Sequence, residues 1–254
     1  MGALRVFVSN IMYTLGFFAR TLKGVYGFVF RGQASYKILT MQILFTFVDA
    51  MGIASLLAVG IGAAVNVIGL PFLASLGQDR MIYPLLIAII TRELGPLLTA
   101  FIIIARSATA IATEVAGMVI NHEVEAYISV GVDPIEHLGV PRFLGVTLSL
   151  FFLNVYFSLF GLAGSFAVAQ LFNPLPPALY FNYLLEFFSL KDLFISVIKS
   201  VSFGMIISIM AITRGFGVER ASTEIPVAGL RAVGSSFLWV ILADILISAL
   251  YYMG

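Results

Sequence analysis

Residues 91–96, Thr-Arg-Glu-Leu-Gly-Pro, bring an arginine, a glutamate and a glycine–proline pair into a long apolar stretch of the chain. A charged side chain in the middle of a bilayer costs roughly 2.5–3.5 kcal/mol even on lenient insertion scales. Pro96 lacks a backbone N–H, and its ring clashes with the carbonyl group of Arg92. We therefore expect a kink here, with Gly95 and Pro96 as its hinge, beside a pair of functional charges.

The composition is typical of a polytopic membrane protein. Hydrophobic residues make up 61% of the 254 residues and charged residues only 11%, whereas soluble domains are about 25% charged. Five apolar segments, each near the roughly 20 residues that a bilayer requires, are predicted to span the membrane. They lie at 38–63, 82–118, 143–171, 193–213 and 231–252. We predict an all-α integral membrane protein with a kinked second span, and a single membrane domain over residues 1–254.

The N-terminal residues 1–33 have the pattern of an amphipathic helix. Apolar side chains recur there at steps of three and four residues, at Leu4, Phe7, Val8, Ile11, Leu15, Phe18, Leu22, Val25 and Val29. We predict an interfacial helix that lies on the cytoplasmic leaflet. The alternative is a poorly formed first spanning helix.

The distribution of lysine and arginine predicts the orientation of the chain. With a cytoplasmic N-terminus, nine basic residues fall on the cytoplasmic side: Arg5, Arg20, Lys23, Arg31, Lys37, Arg142, Arg214, Arg220 and Arg231. The opposite side holds only Arg80 and Lys191. The C-terminus is then expected outside. The sequence has no nucleotide-binding P-loop, so any ATP-driven work is expected from a separate chain.

Polar residues in the second span recur every seven positions, which is nearly two helical turns. One series is Arg92, Thr99, Arg106 and Thr113, and the next is Glu93, Ala100, Ser107 and Glu114. The spacing predicts a polar stripe that faces protein or a water-filled cavity rather than lipid. The plainer alternative is an internal Arg92–Glu93 pair that only pins neighbouring spans.

Charges also occur in three other spans, at Asp49, Lys199 and Asp244. Lys199 and Asp244 lie at the same predicted depth, so we predict an ion pair between them. A structural role, as a clamp between two helices, is favoured over a substrate site. Removal of one partner would leave a costly unpaired charge.

The polar loop 121–142 is predicted to contain a short helix, 123–130, that ends at Gly131 and is followed by Asp133 and Pro134. Glycine suits the end of a helix, and a proline soon after it prevents continuation. His122 and His137 are too far apart to indicate a metal site, and none is predicted. No catalytic set of side chains stands out either.

Two stretches carry a resemblance to a known family. RELGPLLTAFIIIARSATAIATEVAGM at 92–118 and EVEAYISVGVDPIEHLGVPR at 123–142 closely resemble the MlaE (YrbE) permeases. These are the membrane subunits of lipid-transporting ABC systems with an MCE-domain partner. The resemblance covers nearly the whole chain, including IKSVSFG at 198–204.

The resemblance implies a non-enzymatic permease that forms a homodimer in the bacterial inner membrane. Two cytoplasmic ATPase chains, which would hold the ATP and Mg²⁺, bind below it, and a periplasmic MCE-domain hexamer lies above it. The substrate is a phospholipid, held in a pocket at the dimer interface, and the system maintains the lipid asymmetry of the outer membrane. Neither a cofactor in this chain nor a nucleic-acid partner is expected.

The resemblance also suggests site residues. Arg92 and Glu93 are expected at the lipid pocket, and loop 121–137 is expected to be the coupling helix that docks on the ATPase. Candidate apolar walls of the pocket are Val67, Leu70, Tyr83, Leu86 and Leu97. Candidate coupling residues are Glu123, Glu125, Tyr127, Asp133 and Pro134. Two alternatives stay open: an ion- or proton-coupled carrier that uses Arg92, Glu93 and Arg106 as a relay, and a membrane scaffold without transport.

Overall fold

The computed structural model describes residues 2–31, 36–172, 174–219 and 221–253. Within these ranges the chain is helical and has no strand. The helices long and apolar enough to cross a membrane are five in the described residues: α2 (Tyr36–Ser75), α3 (Asp79–Ile120), α5 (Ile135–Leu171), α7 (Leu190–Phe216) and α8 (Glu224–Met253). Shorter or less apolar helices are α1 (Gly2–Arg31), α4 (Glu123–Ser129) and α6 (Pro177–Phe187). The prediction of an all-α membrane protein with five spans is confirmed.

The five spans alternate in direction, so the bundle has two ends. We call one the Gln78 end, where α2 is followed by α3, α6 precedes α7, and α8 finishes. We call the other the His122 end, where α3 is followed by α4 and α7 is followed by α8. Arg92 and Glu93 are closer to the Gln78 end of α3, and Glu114 is closer to the His122 end.

Helix α1 is not among the apolar spans and packs against α5 and α7 at the His122 end. Its side towards the bundle carries Phe17, Thr21 and Phe28, which are all buried. Leu15 and Leu22, which belong to the predicted apolar stripe, are exposed instead. Two other residues of that stripe, Phe18 and Val25, pack against the core, and the ring of Phe18 lies 6.3 Å from that of Phe143 on α5. In the described part of α1 the predicted stripe is thus divided between side chains that contact the bundle and side chains that are exposed.

Helix α2 is longer than predicted, because it continues without a break to Ser75 with Pro71 inside it. Forty residues at about 1.5 Å each give a helix of roughly 60 Å, about twice the hydrocarbon thickness. Helix α6 lies between the third and fourth predicted spans and was not predicted; it begins with a proline, which is well tolerated in the first turn of a helix.

Close contact between α2 and α5 forms one wall of the core. A Cβ atom on Gly62 would meet the carbonyl oxygen of Gly161, so the two backbones lie against each other. One turn further, Asn66 Nδ2 donates hydrogen bonds of 2.7 Å to both the carbonyl oxygen and Oγ of Ser165. Ser165 Oγ also lies 2.6 Å from the hydroxyl of Tyr180 on α6. Burial raises the pKa of the Tyr180 hydroxyl above its ordinary value.

Candidate functional site

Five charged side chains from α3, α7 and α8 meet in the half of the bundle near the Gln78 end. We call them the charge cluster: Arg92, Glu93, Asp192, Lys199 and Asp244. The cluster contains two cations and three carboxylates, so its formal charge is −1 when all five groups are ionised. Charges in a membrane-spanning region are stable only when paired or hydrated, and this cluster supplies the pairing from within the chain.

Lys199 is the buried centre of the cluster, with 0% of its side chain exposed. Its Nζ lies 2.6 Å from Glu93 Oε2 and 2.8 Å from Asp244 Oδ1. The structure thus brings together Lys199 and Asp244, as the sequence predicted, and adds Glu93 as a second partner that the sequence did not indicate. Because the three residues lie on α7, α8 and α3, the group links three spans.

Arg92 lies at the edge of the cluster, with 17% of its side chain exposed. Its Nη1 lies 3.3 Å from Asp192 Oδ1, and its Nε lies 3.4 Å from Glu93 Oε1. Its Nη2 donates a 2.8 Å hydrogen bond to the hydroxyl of Tyr252. The guanidinium group also lies over the rings of Tyr251 and Tyr252, 5.3 and 5.2 Å from their centroids. Arg92 therefore has both ionic and aromatic partners.

Asp192 was missed by the sequence analysis. It begins α7, where its Oδ2 accepts a hydrogen bond of 3.3 Å from the backbone N–H of Ser189. Ser189 Oγ in turn accepts one of 3.2 Å from the backbone N–H of Lys191, which completes a capping box. A serine followed three residues later by an aspartate is the sequence signal that could have found this helix start. No sequence signal indicated its ion pair with Arg92.

The backbone around Arg92 departs from a regular α-helix. Residues Ile87–Leu94 form π-helical turns, and the α-helix resumes at Gly95. Such turns occur often at functional sites because they change the direction of the side chains that follow. A Cβ atom on Gly95 would meet the carbonyl oxygen of Ile90 and would lie 2.9 Å from Asn154 Oδ1. Only glycine fits here, so the predicted hinge coincides with an irregular and tightly packed part of α3.

Gly95→Ala should destabilise the protein by about 1–3 kcal/mol, the usual cost of forcing extra atoms into a packed core. The added methyl group has to displace either the Ile90 carbonyl or the Asn154 side chain. Gly117→Ala is a matched control on the same helix, because a Cβ atom there meets nothing within 4 Å. Thermal unfolding in detergent measures the difference, and equal melting temperatures for the two variants would contradict the packing argument.

A cavity of about 410 Å³ opens beside Arg92 and Asp192. Its other lining residues are Leu73, Met81, Pro84, Leu85, Ile87, Ala88 and Phe187. The walls are therefore almost entirely apolar, with one guanidinium and one carboxylate group at the polar side. This combination suits an amphiphile that has an anionic head and hydrocarbon tails.

The five predicted apolar wall residues do not line this cavity. Tyr83 and Leu86 are in the core, 5% and 0% exposed, and Leu70 and Leu97 are half-buried. Val67 is 44% exposed on α2. On α3 the neighbouring residue Leu85 lines the cavity instead. Consecutive helical side chains differ by about 100° in direction, which is why Leu85 lines the cavity while its neighbour Leu86 is in the core.

The predicted polar stripe does not face a single cavity. Arg106 donates to the backbone oxygen of Asp49 on α2, and its Nη2 lies 3.4 Å from Asp49 Oδ2. Glu114 lies 2.8 Å from Arg142 on α5. The charges of the stripe thus contact different neighbouring helices, and π-helical turns at Ile87–Leu94 and Ile104–Ala108 interrupt the regular helix at Arg92 and at Arg106. The expectation that the charges meet protein partners is confirmed.

The predicted coupling segment forms a compact turn structure at the His122 end. Helix α4 covers Glu123–Ser129, one residue shorter than predicted, and the chain reverses at Gly131, whose φ is +79°. Asp133 Oδ1 accepts a 2.8 Å hydrogen bond from the backbone N–H of Ile135. The candidate coupling residues Glu123, Glu125 and Tyr127 thus lie on α4, and Asp133 and Pro134 lie in the turn that follows it. The ring of Tyr127 lies 5.2 Å from that of His137.

Comparison with known proteins identifies the family to which this chain belongs. The sequence profile of the family described as Permease MlaE matches residues 39–250. The chain belongs to this family. A probable ABC transporter permease protein of Synechocystis is 30% identical over 165 residues, which are 65% of this chain and 63% of the relative, so less than two thirds of that relative is spanned.

Two further relatives align with most of this chain. The protein TRIGALACTOSYLDIACYLGLYCEROL 1, chloroplastic, of Arabidopsis thaliana is 24% identical over 89% of this chain and 65% of its own length. The intermembrane phospholipid transport system permease protein MlaE of Haemophilus influenzae is 23% identical over 85% of this chain and 84% of its own length. With its five apolar helices, the chain is a multi-pass membrane protein of the ABC-permease type.

Proposed function

We propose that this chain is the permease subunit of an ABC-type transporter that moves phospholipid between the bacterial inner membrane and a periplasmic MCE-domain partner. The observation that carries the proposal is the apolar cavity of about 410 Å³ with Arg92 at its polar side. A guanidinium group binds phosphate through paired, charge-assisted hydrogen bonds. The apolar walls suit acyl chains, and the name of the Haemophilus relative supports phospholipid as the substrate.

In this proposal the chain itself catalyses no reaction. A partner ATPase dimer holds ATP and Mg²⁺ and pushes on α4 and the turn that follows it. Helix α3 joins α4 directly to the irregular segment around Gly95 and Pro96, so a displacement of α4 reaches Arg92 through one helix. Glu93, 3.4 Å from Arg92 Nε, keeps the guanidinium oriented towards the cavity.

The assembly we propose is a homodimer with a cytoplasmic ATPase pair and an MCE-domain hexamer. In each copy of this chain the N-terminus is cytoplasmic and the C-terminus is periplasmic. The role of the assembly is to maintain outer-membrane lipid asymmetry. Arg106 and Asp49 support a second copy, because their side chains are 38% and 48% exposed on membrane-spanning helices. A charge pair that faces lipid is costly, whereas a protein partner or a shared cavity would shield it.

The ion-coupled carrier receives less support. Its relay requires Arg106 to communicate with Arg92 and Glu93. Fourteen residues of helix place Arg106 roughly 20 Å from Arg92 along α3, and its contacts are with Asp49 rather than with the charge cluster. No described contact connects the two groups.

Arg92→Ala should reduce the phospholipid that co-purifies with the chain at least about tenfold, because a charge-assisted phosphate contact is worth on the order of 1.5–3 kcal/mol. Mass spectrometry of extracted lipid and a vesicle transfer assay measure the effect. Arg80→Ala is the matched control, since Arg80 is an exposed arginine near the start of the same helix that contacts Tyr183 instead. Unchanged lipid content and transfer in Arg92→Ala would refute the proposed function.

A further inference from the structure

We infer that Asp192 is an internal competitor for the lipid phosphate: it occupies Arg92 when the cavity is empty and must be displaced when lipid binds. This inference rests on the proposed function, since it assumes that Arg92 binds phosphate. It assigns a role in lipid release to a residue that begins α7 and pairs with Arg92. The following contacts support it.

The geometry of the Arg92–Asp192 pair suits an exchangeable contact. One guanidinium nitrogen, Nη1, lies 3.3 Å from one carboxylate oxygen, so the pair does not have the parallel two-bond geometry of the strongest arginine–carboxylate pairs. Both side chains line the same cavity and keep a small exposure, 17% for Arg92 and 11% for Asp192. An anion that enters the cavity therefore reaches the pair directly.

Asp192 is held in place by contacts other than Arg92. Its Oδ2 accepts from the backbone N–H of Ser189 at 3.3 Å, and its Oδ1 accepts from the hydroxyl of Tyr251 at 3.4 Å. These contacts keep the carboxylate at the start of α7 after Arg92 turns towards a phosphate. Asp192 thus stays close to Arg92 and can form the ion pair again, which favours dissociation of the lipid.

The charge balance around Arg92 also opposes tight lipid binding. Glu93 and Asp192 already supply two carboxylates to its guanidinium group. The other cation of the cluster, Lys199, is occupied by Glu93 and Asp244. A phosphodiester adds a further negative charge to a cluster that is already negative. The affinity of the site for lipid therefore depends on how readily the contact between Asp192 and Arg92 is broken. A transporter needs such moderation, because a site that binds its cargo too tightly does not release it.

Asp192→Asn tests the inference, because it removes the charge and keeps an oxygen that can accept from Ser189. The full chain is reconstituted in nanodiscs, and binding of fluorescent NBD-phosphatidylglycerol is titrated. We expect roughly three- to tenfold tighter binding and a correspondingly slower dissociation. NBD-diacylglycerol, which has the same tails and no phosphate, should bind the variant and the parent chain equally.

Two comparisons separate failure of this inference from failure of the proposed function. In an Arg92→Ala background, Asp192→Asn should give no further gain, because the competition acts through Arg92. If Arg92→Ala weakens binding of NBD-phosphatidylglycerol but Asp192→Asn leaves it unchanged, the competitor role is overturned and the lipid site stands. If Arg92→Ala has no effect on binding, the proposed function itself fails.

Control variants test whether the capping role of Asp192 at the start of α7 accounts for the result. Ser189→Ala removes the acceptor for the backbone N–H of Lys191 but leaves the Arg92–Asp192 pair intact, so lipid affinity should not change. Asp192→Ser offers a second uncharged variant with a capping oxygen, should Asp192→Asn assemble poorly. A gain in affinity that Ser189→Ala reproduces, or that extends to NBD-diacylglycerol, would show a change in helix capping or in the apolar walls and overturn the inference.

Discussion

Lys199→Ala is expected to destabilise the protein by about 3–5 kcal/mol, the cost of removing one partner from a buried ionic group. Lys199 is fully buried, and its ammonium group lies 2.6 Å from Glu93 and 2.8 Å from Asp244. Alanine would leave two carboxylates close together in a region of low dielectric constant, and the link between three spans would be lost. Thermal unfolding in detergent, followed by fluorescence, measures the loss.

Two variants make this expectation specific to the buried lysine. Lys191→Ala removes an exposed lysine near the start of the same helix and should leave the melting temperature nearly unchanged. The triple variant Lys199→Met, Glu93→Gln and Asp244→Asn removes the whole ionic group and should recover much of the loss, since uncharged replacements of a buried ion pair are often tolerated. Equal stability of Lys199→Ala and Lys191→Ala would show that the cluster does not stabilise the fold.

The charged residues in the spans could be found from sequence because each interrupts an apolar stretch. Sequence also places residues along the membrane normal, and this was enough to pair Lys199 with Asp244. It does not fix the rotation of one helix about its axis. Glu93 as the second partner of Lys199 therefore required the structure, as did Asp192 as the partner of Arg92.

The apolar walls of the cavity show the same limit more clearly. Leu85 and Leu86 are chemically identical neighbours, yet Leu85 lines the cavity and Leu86 is in the core. In a soluble protein the alternation of polar and apolar residues would reveal the buried face. In a membrane-spanning helix both faces are apolar, so that signal is missing. The π-helical turns of α3 shift the faces again, and they carry no reliable sequence pattern.

Sequence does not distinguish a glycine at a tight contact between helices from a glycine at an open position, whereas the structure does. Gly62→Val, at a tight contact, should have a large effect on stability. A Cβ atom at Gly62 meets the carbonyl oxygen of Gly161 and lies 3.0 Å from the backbone nitrogen of Ser165. Backbone atoms cannot move aside as a side chain can, so α2 and α5 have to separate. We expect a loss of about 3 kcal/mol or more, at the upper end for overpacked cores, measured as the melting temperature in detergent.

Gly60→Val is the matched control, because it adds the same side chain to the same helix at a position where a Cβ atom meets nothing within 4 Å. It should melt within a few degrees of the parent chain.

Separation of α2 from α5 in Gly62→Val would also withdraw Ser165 from the amide of Asn66, and a buried donor without an acceptor costs a further 1–3 kcal/mol or so. Asn66→Ala should therefore destabilise the parent chain more than it destabilises Gly62→Val. Additive losses in the double variant would mean that the helices stay in contact and that the added side chain is accommodated elsewhere.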